Sequence, residues 1–286
     1  MYLHQLWKEW KKQERCKDMN NLTPGYLLPF VMIGTLATVA AVLFGLHRAL
    51  KLAGWSIQDR KRAVSIGTAL LVGWLFAALL PSWAGFYRTA RAGMPTIQYG
   101  LLIPIIVAVA LFWRWGAFRR AIEAVPQEWV VGLQFYRAEG LIFLLLLAGH
   151  RLPGVFAWPA GIGDVIVGLL APAVAIAYAY RLRNTGALVR VWNLLGIGDL
   201  IVAVATGFLS SPSRLQMFAF GAPNVLVTAF PLVMIPVFLV PLSVLLHLAS
   251  LKKLRQAEMG QQFSHNDSAT SPSDKLTWKG GVLTPP

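Results

Sequence analysis

Charge is scarce in this sequence. Only 13% of its 286 residues are charged while 56% are hydrophobic, and a soluble domain carries about 25% charged residues. There is too little charge here for an ordinary soluble surface. One cysteine, Cys16, excludes an intrachain disulfide and any cysteine-based zinc or iron–sulfur site. Walker, zinc-protease and Gly-rich strand–helix motifs are all missing. Acidic residues are scarce too, 12 against 26 basic, for a net charge of +14. The basic residues form no stripe with interleaved aromatics, so nucleic acid is not an expected partner. They lie between long apolar runs, as in membrane proteins that retain Lys and Arg in cytoplasmic loops.

A helix needs about 20 mostly apolar residues to cross the hydrocarbon core. Such segments fall at 25–46, 64–83, 98–115, 129–149, 155–180, 190–209 and 224–249. The expected fold class is therefore all-α, a polytopic bundle of about seven transmembrane helices whose partner is the lipid bilayer. Trp83, Trp113, Trp115, Trp129 and Trp158 lie near segment ends, as an interfacial aromatic belt requires. Pro104, Pro172, Pro231, Pro236 and Pro241 fall inside segments, where membrane helices tolerate kinks.

Loop charge sets the expected orientation. The loops after segments one, three and five, with the C-terminal tail, hold Arg48, Lys51, Arg60, Lys61, Arg62, Arg114, Arg119, Arg120, Arg181, Arg183, Arg190, Lys252, Lys253, Arg255, Lys275 and Lys279. The opposite loops hold only Arg88, Arg91, Arg151 and Arg214. This bias places the C-terminus in the cytoplasm and the N-terminus outside, and the chain resembles a bacterial inner (plasma) membrane protein. Lys8, Lys11, Lys12, Arg15 and Lys17 oppose it. That conflict suggests that residues 1–18 are an upstream extension and that translation starts at Met19. The domain reading is a tail over 1–24, a bundle over 25–250 and a cytoplasmic tail over 251–286. The tail's Gln, Ser, Asp, Thr and Pro content predicts disorder from about residue 256.

Three of the 12 acidic residues, Glu139, Asp164 and Asp199, fall in segment interiors, and Arg137 is the one basic residue away from a segment end. Each costs about 2.5–3.5 kcal/mol at a membrane helix centre, so such residues face a bundle interior or cavity and pair. Arg137, Asp164 and Asp199 each lie near mid-segment, so they can meet. Arg137 and Glu139 are two apart and do not face each other, which makes Asp164, Asp199 or both the expected partners of Arg137. Three carboxylates against one guanidinium is a charge excess that low dielectric disfavours, so the cluster is expected to hold a proton. Gln134, three residues before Arg137, shares its face. Asn193 is expected to hydrogen-bond between helices.

One placement is open. The breakers in 152–159 allow the fifth helix to start only after Pro159, with 152–163 forming a re-entrant piece.

Gly161-Ile162-Gly163-Asp164-Val165-Ile166-Val167 recurs as Gly196-Ile197-Gly198-Asp199-Leu200-Ile201-Val202. Consecutive membrane helices run antiparallel, so the two copies form an expected inverted repeat, an arrangement found in transporters. Small residues continue each face: Gly161, Gly168 and Ala171 on one helix, Gly196, Ala203 and Gly207 on the other. Such stripes predict close packing of the fifth helix on the sixth, with both carboxyls in or beside the contact.

The tetrapeptide Gly-x-Gly-Asp resembles the GxGD motif of intramembrane aspartyl proteases, the presenilin and signal peptide peptidase family and the prepilin peptidases. The resemblance implies a catalytic pair, Asp164 and Asp199, sharing a proton and activating a water. It covers about eight residues. In the presenilin-type pattern one aspartate follows a tyrosine, and the later helix carries Pro-Ala-Leu. Here both aspartates sit in Gly-x-Gly-Asp, and Pro241 precedes Leu242 and Ser243.

His47, His150 and His247 fall at segment ends, where they are expected as interfacial anchors. A haem between His47 and His247, which share one side of the membrane, is the less favoured alternative, and no cofactor or metal is expected. The leading functional expectation is a proton-linked or small-solute transporter-like protein built on Arg137, Glu139, Asp164, Asp199, Gln134 and Asn193. The alternatives are a GxGD-type protease and a structural or assembly subunit.

Overall fold

The computed structural model describes residues 23–88 and 93–270. Cys16, Met19, the basic residues of 1–18, Arg91 and residues 271–286 lie outside the described residues.

Among the described residues the chain is helical throughout, with no strand. Seven of its helices are long and apolar enough to cross a membrane, which makes it a multi-pass membrane protein. The elements are α1 (Leu27–Leu52), α2 (Ile57–Trp83), α3 (Ile97–Arg114), the short α4 (Gly116–Ala124), α5 (Gln127–Ala148), α6 (Gly154–Ala179), α7 (Thr185–Ser210) and α8 (Val240–Thr270). A π-turn, Ile235–Leu239, leads into α8. The end of the bundle where α1, α3 and α6 finish carries the basic loops and is called the basic end; the other is the far end.

Several boundaries differ from the sequence expectation for local reasons. Helix α2 starts at Ile57 rather than 64 because Ser56 caps it: its Oγ accepts the Asp59 N–H at 3.1 Å. A satisfied N-terminal donor lets the charged first turn wind outside the apolar run. Helix α6 starts at Gly154 and runs unbroken through Pro159, with Phe156 and Ala157 donating to the Pro153 carbonyl at 3.1 and 3.0 Å. Residues 154–163 are thus ordinary helix, not a re-entrant piece. The last apolar run behaves differently: 224–234 is largely irregular, because Pro231 and Pro236 supply no N–H to a helix. These residues fold inward, and Leu226, Ala229 and Leu232 are buried. Helix α8 then continues to Thr270, past residue 251 where the composition suggests a tail.

The middle of α5 is a 3-10 segment, Gln134–Gly140. Residues three apart eclipse one another in this winding, so Gln134, Arg137 and Gly140 project from one face, and all three are buried. Seven residues is long for a 3-10 stretch, and such stretches often mark functional positions.

Packing gathers around α6. Its most extensive packing is against α7 and against the 3-10 segment. Lipid offers apolar side chains no hydrophobic reward for association, so close backbone approach and polar contacts decide which faces meet. The expected closeness of α6 and α7 is found, but the small stripe of α6 serves another neighbour. A side chain at Gly161 would meet Leu144 and the Gly140 carbonyl, and one at Gly168 would meet the backbone of Arg137 and Ala138. Both glycines therefore seat α5. Among the glycines of this region, Gly163 admits α7, where its missing side chain leaves room for the Asp199 carboxylate.

Candidate functional site

Four helices bring their polar side chains to one level of the bundle. Arg137 is eleven residues before the far end of α5, Asp164 ten residues after the start of α6, and Asp199 eleven before the end of α7. With a rise of about 1.5 Å per residue these positions coincide in depth, and the side chains meet there.

Arg137 is the hub, its side chain 1% exposed. Its Nε donates to Asp164 Oδ1 at 2.8 Å, and Nη2 lies 2.8 Å from the same oxygen. Nη2 also donates to Asp199 Oδ2 at 2.5 Å. Nη1 donates to the Gly196 carbonyl at 3.2 Å and to His247 Nε2 at 3.0 Å. A guanidinium has five N–H donors; four make hydrogen bonds here, and the Nη2–Asp164 approach adds an ion-pair contact. The partnership left open between Asp164 and Asp199 resolves as both.

Donor logic fixes the imidazole. Arg137 can only donate, so His247 Nε2 accepts and Nδ1 carries the hydrogen. That Nδ1–H lies 2.8 Å from Asn193 Oδ1. Asn193 in turn donates to the Val189 carbonyl at 2.7 Å and to Ser250 Oγ at 2.8 Å. Gln127 donates to the same hydroxyl at 2.7 Å. A continuous set of side chains thus leads from the basic end of α5 to Arg137. Trp192 packs on the His247 ring with centroids 5.1 Å apart, and its indole N–H reaches the Val167 carbonyl at 3.2 Å.

Gln134 points at α8, donating to the Ser243 carbonyl at 3.2 Å. Tyr136 donates to the Leu239 carbonyl at 3.0 Å, with the Ser243 hydroxyl 2.6 Å away. Glu139 leaves the cluster. As its spacing from Arg137 requires, it turns the other way and lies against α1, where its carboxylate occupies the space a side chain at Gly34 would fill. Its Oε2 is buried with no hydrogen-bond partner among the described residues, as is Gln134 Oε1.

The glycines of the two Gly-x-Gly-Asp copies make these approaches possible. Gly196 leaves room for the His247 ring and for Arg137 Nη1, the latter 3.0 Å from where a Cβ would stand. Gly140 does the same for Asp164.

A cavity of about 50 Å³ reaches Asp164 from the far end, lined by Phe143, Phe156, Ala160, Ser211 and Thr228 among others. At roughly 10–15 Å³ per water it has room for a few waters.

Of the expected site, the structure brings together Arg137, Asp164, Asp199 and Asn193 and puts Gln134 on the Arg137 face, whereas Glu139, counted with the cluster from the sequence, lies apart against α1. The sequence expectation misses His247, Ser250, Ser243, Gln127 and Tyr136. Ser243, His247 and Ser250 stand at i, i+4 and i+7 on α8, a polar stripe visible in the sequence. His247 is not the interfacial anchor expected for a helix end, because α8 continues well past it. The His47–His247 pairing is not formed either: both nitrogens of His247 are engaged, while His47 is exposed. The GxGD resemblance requires two carboxyls sharing a proton over one water. Here Arg137 Nη2 stands between Asp164 and Asp199 instead.

Residues 94–255, more than half of the chain, match the family described as Domain of unknown function (DUF8737). They cover α3 to most of α8 and the whole Arg137 cluster, and leave out α1 and α2. No curated protein and no solved structure matches the chain.

Proposed function

Since the chain belongs to the family of that domain of unknown function, whose matched residues contain the entire cluster, we propose that this domain is a proton-linked carrier of a small solute. One observation supports the reading above all: a guanidinium joins aspartates from two consecutive helices at one depth of the membrane. In this reading Arg137 is a fixed charge held by Asp164, His247 and the Gly196 carbonyl. Asp199 is the exchanging carboxyl, since its side chain is the more exposed of the two, 13% against 10%.

Protonation of Asp199 would remove its attraction for Nη2 and free one N–H for an anionic group of the solute. Departure of the solute would return that N–H to the carboxylate. Proton and solute would then compete for one donor, which is a coupling free energy between two ligands. The cavity beside Asp164 supports access from the far end. Glu139, unpaired on the α1 side, is a second carboxyl that could carry a proton. The two Gly-x-Gly-Asp copies on antiparallel helices fit the inverted repeats of transporters. The loop charges support an orientation with the basic end in the cytoplasm.

The engagement of all three Arg137 nitrogens favours a second reading, a structural or assembly subunit in which the cluster only joins α5 to α8. Liposomes containing the protein and an internal pH dye separate the two readings. Under the carrier reading, gradients of small carboxylates drive proton movement, and Asp199→Asn abolishes it while the protein stays folded. If no solute in the panel moves protons, and Asp199→Asn only lowers the melting temperature, the carrier reading fails and the structural one stands.

A further inference from the structure

A much larger space lies on the other side of α5. A cleft of about 1720 Å³ opens between the α1–α2 pair and α3, with α5 and α8 as its floor. Small-molecule pockets run to roughly 300–1,000 Å³, so this one is built for something larger. Its walls are apolar along the helices: Leu43, Leu70, Trp74, Ile103, Val107 and Leu245 are representative. Charged residues line it only toward the basic end, where Arg119 of α4, Glu128 of α5 and Lys252 of α8 stand at the mouth.

The mouth is also the interfacial level. Trp113, 77% exposed, and Trp129 flank it, and exposed tryptophans settle at the headgroup layer. An apolar body in the hydrocarbon and a charged end at the headgroups is the shape of one amphiphile. Charge selects its headgroup. Arg119 is exposed and makes no hydrogen bond among the described residues; the acid within its electrostatic reach is Glu123. Lys252 holds Glu123 at 3.2 Å and stands 3.7 Å over the Phe112 ring. Arg114 and Arg120 lie on the adjoining turns. Basic groups outnumber Glu123 and Glu128 around the mouth.

We propose that this cleft holds one anionic phospholipid, its acyl chains between α2 and α3 and its phosphate against Arg119 and Lys252. The site lies along the border between the α1–α2 pair and the family-matched residues, so a bound lipid would join the two parts. The proposal does not depend on the carrier reading, because it is tested by lipid binding rather than flux.

The test is native mass spectrometry of the purified protein after detergent exchange, with added phosphatidylglycerol or phosphatidylcholine. The expected result is one retained phosphatidylglycerol and no comparable retention of phosphatidylcholine. Arg119→Ala with Lys252→Ala should weaken retention roughly 30-fold, two basic contacts of ordinary strength at an anionic lipid. Gly73→Phe gives an independent check. Gly73 lines the cleft with nothing within 4 Å of its Cβ position, so the ring would fill the acyl space and leave the charges untouched. It should also abolish retention. Equal retention of both lipids, retention of neither, or phosphatidylglycerol binding that survives both changes would overturn the proposal.

Discussion

Gly163 and Gly198 occupy the same place in the two Gly-x-Gly-Asp copies, yet their surroundings are opposite. A methyl group at Gly163 would fall on the carboxylate of Asp199, whereas one at Gly198 would meet nothing within 4 Å. Replacing either by alanine removes the same helix penalty, about 1 kcal/mol, so the difference between the variants isolates the collision. In Gly163→Ala, either α6 and α7 separate or Asp199 leaves Arg137. Overpacking of this kind costs about 1–3 kcal/mol. The 2.5 Å contact of Asp199 with Arg137 is a charged hydrogen bond worth about 1.5–3 kcal/mol, so both routes cost about the same. A chain of this size shifts its melting point by roughly 2–4 °C per kcal/mol. Gly163→Ala should therefore melt roughly 2–12 °C below Gly198→Ala in the same detergent, and Gly198→Ala should melt slightly above the parent. Equal melting points, or a more stable Gly163→Ala, would refute the close approach of Asp199 to α6.

Two further outcomes concern the hub. Arg137→Met leaves both aspartates buried without their cation and should cost about 3–5 kcal/mol, seen as a large drop in melting temperature. The triple variant with Asp164→Asn and Asp199→Asn should recover most of it, and failure to recover would mean that the carboxylates are paired elsewhere. His247→Leu strands one Arg137 donor and the Asn193 acceptor at about 1–3 kcal/mol each. In the parent protein, the imidazole nitrogen shifts should report hydrogen on Nδ1; hydrogen on Nε2 would contradict the bond from Arg137.

The crossings were legible because seven apolar runs admit little else. Their ends were less so, because capping by Ser56 and the prolines of 224–236 act on residues that hydropathy ignores. The meeting of Arg137, Asp164 and Asp199 followed from cost and depth alone. The eclipsed winding of Gln134–Gly140 did not, since nothing in Gln-Phe-Tyr-Arg-Ala-Glu-Gly announces a 3-10 helix. What accompanies that winding is the close approach of α6 at Gly140 and Gly168, a tertiary contact. His247 was hidden by a boundary: a segment drawn to end at 249 makes a central histidine look peripheral.

The tight winding in the middle of α5 also sets a length. Seven residues advance about 14 Å at 2.0 Å each as a 3-10 helix, but about 10.5 Å at 1.5 Å each as an α-helix. Rewinding Gln134–Gly140 would draw Leu141–Ala148 inward by about 3.5 Å, and the change from three to 3.6 residues per turn would rotate it by roughly 140°. The arginine and the stretch that follows it are thus coupled like a nut on a thread, and neither can shift along the helix axis without turning the other.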